Sequence, residues 1–189
     1  MFRSATVRRI AMIIVIPGSL VLAGSPALAA NTPGAVIAPA STSVAEAAPH
    51  ISPAQRMLRL TLYSTQTRDM RGVEPSMYRG RFFRASVETK RRCIAERESE
   101  GHYDVVSHNG YYGAYQMSPE LARGATWMMS REHRVILGDQ AAVRVLAKLR
   151  GTPLSRWPRY WQDAAFSTIY NWQGTGSGAA HWRGGRWHC

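Results

Sequence analysis

The chain has 189 residues and a formal net charge of +12, from 24 Lys and Arg against 12 Asp and Glu. This length suits one domain built around one core. The positive charge favours anionic partners such as cell-wall polymers or lipid headgroups. Nucleic acid is the rival partner, but neither a basic helix nor an aromatic RNA-binding motif occurs in the sequence, so we expect no nucleic-acid binding.

Residues 1–30 are predicted to be a secretory signal peptide. Arg3, Arg8 and Arg9 precede an apolar run over residues 10–22, and Ala-Leu-Ala at 27–29 is a cleavage site. A bilayer span needs about 20 residues, so this run is too short, and an uncleaved N-terminal anchor is the alternative. Removing these three arginines and no acid lowers the charge to +9. No later apolar run approaches membrane length, so we expect no stable membrane insertion.

Residues 31–50 are rich in Ala, Pro, Ser and Thr and predict a disordered linker. Residues 51–85 are predicted to be an N-terminal helical extension. It begins at Ser52, with Pro at the next position and Gln55 at the third helical one. The folded domain is predicted over residues 86–189.

A helix is predicted over residues 86–99, and Glu98 lies near its end. Val87, Ile94 and Glu98 fall on one face, which is the apolar face. Burial favours the neutral form of a carboxyl group, and a general acid must be neutral before it donates its proton. An ordinary surface glutamate is the alternative. The other charged residues of this helix are predicted to lie on solvated faces: Glu88, Arg91, Arg92 and Glu96.

A β-hairpin is predicted over residues 105–117, because Asn109-Gly110 is typical of a type I′ turn. One face of its return strand would carry Tyr111, Gly113, Tyr115 and Met117. The other face would carry Tyr112, Ala114 and Gln116. Ligand binding at a face thinned by Gly113 and ordinary strand packing are both open interpretations.

Helical patterns dominate the remainder, after Ser118-Pro119-Glu120, from Asp139 and over residues 161–172. The fold class is therefore predicted to be α+β, mostly helical with a small β-hairpin. Cys93 and Cys189 are expected to form a disulfide in an exported chain, with free thiols or an intermolecular bond as alternatives. The six histidines are scattered and no HExxH, CxxC or GxSxG motif occurs, so we expect no metal, cofactor or serine nucleophile.

Several pieces together resemble the catalytic core of resuscitation-promoting-factor and actinobacterial transglycosylase-like domains, in the lysozyme-like superfamily. They are Cys93, Glu98-Ser99, Asn109-Gly110-Tyr111-Tyr112-Gly113, Tyr115-Gln116-Met117 and Thr126-Trp127. Arg97-Glu98-Ser99 is similar to the catalytic signature of goose-type lysozyme, and residues 170–174 are similar to a lytic transglycosylase motif. Two features depart from the family: Glu98 stands five residues after Cys93, and the spacing after Ser118 is unusual.

The resemblance implies a lysozyme-like domain whose catalytic acid and base is Glu98. It implies that a lytic transglycosylase or muramidase cleaves the β-1,4 bond between N-acetylmuramic acid and N-acetylglucosamine through an oxocarbenium-like state. Asp104 is the candidate second carboxylate, with a turn or cap role as the alternative. The residues expected to bind the glycan are Tyr111, Tyr112, Tyr115, Gln116, Trp127, Tyr170 and Asn171.

The expected partners are peptidoglycan glycan strands and anionic wall polymers, for a secreted, cell-wall-associated monomer. The competing hypothesis is a non-catalytic peptidoglycan-binding or signalling module with the same fold. A cationic membrane-active protein is a weaker third hypothesis, since no long amphipathic basic helix occurs.

Overall fold

Helices form most of the part of the chain that this computed structural model describes, residues 50–184 and residue 189. The predicted signal peptide, residues 31–49 of the predicted linker, Trp187 and His188 lie outside the described residues. The described α-helices are α1 Pro53–Tyr63, α2 Thr65–Arg68, α3 Glu88–Ser99, α4 Pro119–Met128, α5 Ser130–Leu137, α6 Asp139–Arg150 and α7 Arg159–Asn171. Short 3-10 turns occur at Ala85–Val87, Leu154–Arg156 and Ala179–Trp182.

Local capping explains where α1 and α4 begin. The Ser52 hydroxyl accepts a hydrogen bond from the Gln55 amide, and the Gln55 side chain accepts one from the Ser52 amide, which completes a capping box. Ser118 likewise accepts from the Leu121 amide at the start of α4. Both predicted helix starts are confirmed. At α6 the N-cap is Gly138, and Asp139 lies in the first turn instead, where its charge suits the helix dipole.

The centre of the fold is α7, whose residues are all buried. It packs against α1, α2 and α4, while α6 packs against α4 and α5. The pattern over residues 161–172 predicted this helix, but the helix begins two residues earlier. A helix that is buried on every side needs neighbours all round it, and those neighbours include the segment predicted to be an extension.

Residues 51–85 pack directly on α7. Tyr78 and Phe82 are buried in the core. The Tyr160 amide donates to Thr67 Oγ1 at 3.2 Å, and Asn171 Nδ2 donates to the Phe82 carbonyl at 2.9 Å. This segment belongs to the same compact unit, Ala47–Cys189, as the remainder of the described chain.

Two consecutive tight turns occupy the place of the predicted hairpin. Only isolated bridges form within this part of the described chain, from Val106 to Tyr112 and from Tyr112 to Met117. The chain reverses a second time because Gly113 has a φ of +71°, a left-handed conformation that glycine adopts at little cost. The predicted return strand with alternating faces is therefore not present, and Ala114 and Tyr115 are both buried.

The predicted disulfide between Cys93 and Cys189 is confirmed, with 5.7 Å between the two Cα atoms. It fastens residue 189 to α3, five residues before Glu98. Among the described helices, none has the length and apolar character needed to cross a bilayer.

Candidate functional site

Glu98 lies in the last turn of α3, and a sharp reversal ends the helix just after it. Glu100 and Gly101 take positive φ angles of 55° and 72°. The Glu100 amide donates to the Glu96 carbonyl at 2.8 Å, and the Gly101 amide donates to the Ala95 carbonyl at 3.2 Å. These hydrogen bonds pair the carbonyls of Ala95 and Glu96 near the end of the helix, so Glu98 lies at a capped C-terminus.

The two oxygens of the Glu98 carboxyl group have different surroundings. Oε1 accepts hydrogen bonds from Arg97 Nη2 at 2.6 Å and Arg97 Nε at 3.1 Å. Oε2 makes no hydrogen bond with any described residue. The Glu98 side chain is 25% exposed, whereas that of Arg97 is only 4% exposed. One oxygen of the carboxyl is therefore held by a guanidinium, and the side chain as a whole is partly exposed.

Arg97 connects Glu98 to the C-terminal part of the chain. Its Nη2 also donates to the Trp182 carbonyl at 2.7 Å. The Trp182 indole N–H donates to the Tyr115 carbonyl at 2.9 Å, and the indole ring packs 4.8 Å from the Phe166 ring. These contacts hold the guanidinium against Glu98. The sequence predicted no structural role for Arg97 beyond the Arg97-Glu98-Ser99 triplet, because Trp182 lies 85 positions away in the sequence.

The turn at residues 113–116 lies against the end of α3. The Ser99 hydroxyl is 2.9 Å from the Ala114 carbonyl oxygen and can donate to it. Gln116 is half-buried, and its Nε2 donates to the Gly113 carbonyl at 3.0 Å. The residue after Glu98 thus contacts the turn that carries Gln116, which brings two of the predicted site residues into one region.

Gln162 of α7 fastens this turn to the core. Its Oε1 accepts a hydrogen bond from the Ala114 amide at 3.1 Å, and its Nε2 donates to the Tyr103 carbonyl at 2.8 Å. A Cβ atom at Gly113 would overlap Gln162 Oε1. Glycine is therefore required at position 113 by the close approach of a side chain from α7, in addition to its backbone conformation.

Tyr115 and Asn171 lie inside the protein. The Tyr115 hydroxyl donates to Asp163 Oδ1 at 2.6 Å, and the Tyr115 ring is fully enclosed. Asn171 Nδ2 donates to the Phe82 carbonyl, and Asn171 Oδ1 accepts from the Gly176 amide at 3.0 Å. The predicted substrate contacts of Tyr115 and Asn171 do not agree with this placement, because protein groups already enclose both side chains.

Tyr170 lies beside the Glu98 region but makes no hydrogen bond with Glu98 in the described chain. Its ring packs against those of Phe166 and Trp182, with centroids 5.1 and 6.0 Å away. It lines a cavity of about 150 Å³ together with Arg97 and Trp182. Burial raises the pKa of Tyr170, so its hydroxyl stays protonated.

Exposed aromatic rings and two arginines form a second surface around Trp127, which is 65% exposed. The Arg150 guanidinium carbon lies 4.0 Å from the Trp127 ring centroid, a cation–π contact. Tyr112, Arg123 and Arg150 line an adjoining cavity of about 220 Å³. Neither arginine forms a salt bridge with a described carboxylate. Tyr111, just before Tyr112, is also exposed.

Asp104 lies on the surface and forms a 3.8 Å ion pair with Arg71. The two side chains are 49% and 60% exposed, and such exposed pairs contribute little to stability. Within the described residues, no group of three or more His, Cys, Asp and Glu side chains could hold a metal ion.

Arg91 of α3 and Asp163 of α7 form a buried ion pair that the sequence pattern did not predict. Arg91 was predicted to be solvated, but this is wrong: its side chain is 1% exposed and lies 3.6 Å from Asp163, which is fully buried. Arg91 also donates to Tyr115 Oη at 2.6 Å and to Glu88 Oε1 at 2.8 Å. Burial opposes the charge of Arg91, but Tyr115 and Asp163 more than offset it and raise the pKa of Arg91.

Asp163 is equally well bonded. Its Oδ1 accepts from the Tyr103 and Tyr115 hydroxyls at 2.7 and 2.6 Å, and its Oδ2 accepts from the Met77 amide at 3.0 Å. A buried charge is tolerated when it is paired and fully hydrogen-bonded. The network therefore joins α3, α7 and the segment before residue 85 into one support for the Glu98 region.

Comparison with known proteins gives no match: no protein-family model, curated protein or solved structure is significantly similar to this chain. The resemblance drawn from the sequence motifs therefore stays a prediction.

Proposed function

We propose that the protein is a secreted peptidoglycan-cleaving glycosidase that uses Glu98 as its single catalytic acid and base. One observation carries the proposal: Glu98 lies at a capped helix end, partly exposed and with Oε1 held by Arg97, beside the turn that carries Gln116. A proton donor must be rigidly placed and still accessible to the bond that it protonates.

In the first step, protonated Glu98 donates its proton from Oε2 to the oxygen that joins N-acetylmuramic acid to N-acetylglucosamine. The bond from that oxygen to the anomeric carbon breaks, and an oxocarbenium-like centre develops. Proton transfer leaves a carboxylate whose Oε1 accepts hydrogen bonds from Arg97 Nη2 and Nε, the same contacts that the free protein has.

In the second step, ionised Glu98 accepts a proton from the attacking hydroxyl. That hydroxyl belongs either to water, which leaves a reducing end, or to C6 of the muramic sugar, which leaves a 1,6-anhydro end. Asp104 lies in an exposed ion pair with Arg71, and this position favours a mechanism with a single carboxylate.

The surface around Trp127 supports binding of a charged glycan. Trp127 offers an exposed aromatic face that can pack on a pyranose ring, and Arg123 and Arg150 can bind carboxylates or phosphates of wall polymers. The chain has a charge of +9 without residues 1–30, which adds a general attraction to the wall. The Cys93–Cys189 disulfide fits an oxidising location outside the cell.

The second candidate function is a wall-binding module that does not cleave. The observation that favours it is the same Arg97–Glu98 pair, since a carboxylate held in an ion pair can be purely structural. Both candidates use the aromatic and basic surface, so only the chemistry at Glu98 separates them.

The test compares Glu98→Gln with Glu96→Gln, a matched change at an exposed position on the same helix. Each purified protein is incubated with insoluble peptidoglycan, and soluble muropeptides are measured by mass spectrometry. We expect Glu98→Gln to lower the release rate by on the order of 10²–10⁴, the usual contribution of acid–base catalysis, while Glu96→Gln keeps full activity.

Binding of both variants to the same peptidoglycan, measured by co-sedimentation, should equal that of the unaltered protein. Product masses report the attacking hydroxyl, because reducing and anhydro ends differ by one water. Equal cleavage by Glu98→Gln would exclude Glu98 as the acid. Binding without cleavage by the unaltered protein would establish the second candidate.

A further inference from the structure

A separate cavity lies between α1 and α6, and we refer to it as the α1–α6 cavity. Its volume is about 340 Å³, and none of its lining residues takes part in the Glu98 region, although Leu149 and Thr152 also line the cavity beside Trp127. Pockets for small ligands have volumes of about 300–1,000 Å³ and are mostly apolar with a few polar groups. The floor of this cavity is apolar and is formed by Leu58, Leu62, Val145, Leu149 and Pro158.

The rim of the α1–α6 cavity is basic. Arg144, Lys148 and Arg156 line it, and all three are exposed. None of their side chains forms a salt bridge or hydrogen bond with another described residue. The sequence explains why partners are scarce, because residues 51–68 contain no Asp or Glu and residues 139–162 contain only Asp139, at the start of α6. The cavity therefore combines an apolar floor with uncompensated positive charge.

Helix stability accounts for only part of this charge. Lys148 lies in the last turn of α6, where a cation suits the helix dipole. Arg144 lies one turn earlier, four residues before Lys148, and like charges at this spacing repel each other. Arg144 thus adds repulsion to the helix, and a bound anion would relieve it.

We propose that the α1–α6 cavity binds a monomeric anionic amphiphile, a single acyl chain that carries a carboxylate or phosphate head. The chain would lie on Leu58, Leu62 and Val145, and the head would contact Arg144 and Lys148. This charge complementarity is what selects an anion for the apolar site.

A peptide fits the cavity less well. The lining comes mainly from α1 and α6, whose backbone groups are bonded within each helix, so no free edge is present for an extended peptide. A docked helix needs a row of apolar anchors at i, i+3, i+4 and i+7, whereas this cavity has room for one slender apolar group.

The probe is decanoate, below the concentration at which it forms micelles, added to protein labelled with ¹³C at Leu and Val methyls. We expect methyl shifts at Leu58, Leu62, Val145 and Leu149. The charge-reversal pair Arg144→Glu with Lys148→Glu should weaken decanoate binding about tenfold or more, because charge-assisted contacts are lost. Arg134→Glu changes the charge at an exposed position outside the cavity and should leave the affinity unchanged.

The apolar half is tested with Leu62→Ser, which should also weaken decanoate binding, and with acetate, which should bind far more weakly. Thermal unfolding confirms that each variant is folded. Equal decanoate binding by the charge-reversal pair would overturn the proposal. So would equal affinity for acetate and decanoate, tighter binding of an acidic amphipathic peptide, or binding only to anionic phospholipid vesicles. Peptidoglycan cleavage is independent of all these results.

Discussion

Two of the arginine–carboxylate pairs on or beside α3, Arg91–Asp163 and Arg97–Glu98, differ in how far the carboxylate is exposed and in how many hydrogen bonds it accepts. Arg91 and Asp163 are both sealed from solvent, and hydroxyl or amide donors occupy both oxygens of Asp163. Arg97 and Glu98 lie at the helix end, with Glu98 partly exposed and one of its oxygens without a described partner.

This difference leads us to expect a structural role for Arg91–Asp163 and a functional role for Arg97–Glu98. A sealed and fully bonded pair cannot exchange partners without unfolding its surroundings, so it can only hold elements together. A pair whose carboxylate is partly exposed can accept a ligand while its arginine stays in place. We therefore expect substitutions in the first pair to change stability and substitutions in the second to change activity.

The largest expected effect is that of Asp163→Asn. It keeps the shape of the side chain but leaves the buried Arg91 charge with the partly exposed Glu88 as its remaining carboxylate, and breaking a buried pair costs about 3–5 kcal/mol. The free energy of unfolding, from urea denaturation followed by circular dichroism, measures the loss.

The matched change in the other pair is Glu98→Gln, which should cost less than Asp163→Asn because Glu98 is partly exposed and the Gln amide oxygen can still accept from Arg97. Similar losses for Asp163→Asn and Glu98→Gln would remove the distinction between the two pairs.

Removal of the disulfide should give the next largest effect. The double variant Cys93→Ser with Cys189→Ser opens a loop with a sequence separation of 96 residues, and loss of such a bond costs about 2–5 kcal/mol. Hydrogen exchange should rise more at residues 179–182 than in α7, because the former lie closer in the chain to Cys189. Uniform loss of protection would show that the bond stabilises both regions equally.

A smaller effect is expected from pH, through His133 in the sealed part of the fold. Burial lowers the pKa of His133 below its ordinary value of 6.5, against weaker opposing effects of the Met129 carbonyl and Glu132. In the unfolded chain His133 binds a proton near pH 6.5, whereas in the folded chain it binds that proton only at a lower pH. Stability should therefore fall as pH drops below about 6.5, by at most about 1.4 kcal/mol per pH unit.

Denaturant midpoints between pH 6.5 and 5 measure this slope. His133→Gln should flatten it, whereas His108→Gln, at an exposed position, should leave it unchanged. A slope that persists in His133→Gln would assign it to another group.

Local features were predictable from the sequence, and features that depend on distant residues were not. The capping box at Ser52 and the end of α3 at Ser99 involve residues within one turn, and both agree with the structure. The second reversal at Gly113 was not predicted because the turn is held by a hydrogen bond from the Ala114 amide to Gln162, which lies 49 positions after Gly113.

Burial of charge was missed for the same reason. Helix periodicity assigns Arg91 to a solvated face, since it registers residue type and spacing only. The partners that make burial possible are Tyr103, Tyr115 and Asp163, from two other parts of the chain. The position of Glu98 was predictable from its own helix, but its contact with Arg97, itself anchored to Trp182, was not.

Gln162 has a further consequence for the turn next to α3. An amide side chain has no charge to titrate, and neutral hydrogen bonds are hardly affected by dissolved ions, in contrast to exposed ion pairs. The hydrogen bond from the Ala114 amide to Gln162 Oε1 should therefore persist at high salt concentration and in mild acid. The turn next to α3 should therefore keep its position through changes in ionic strength, as the proposed location outside the cell would require.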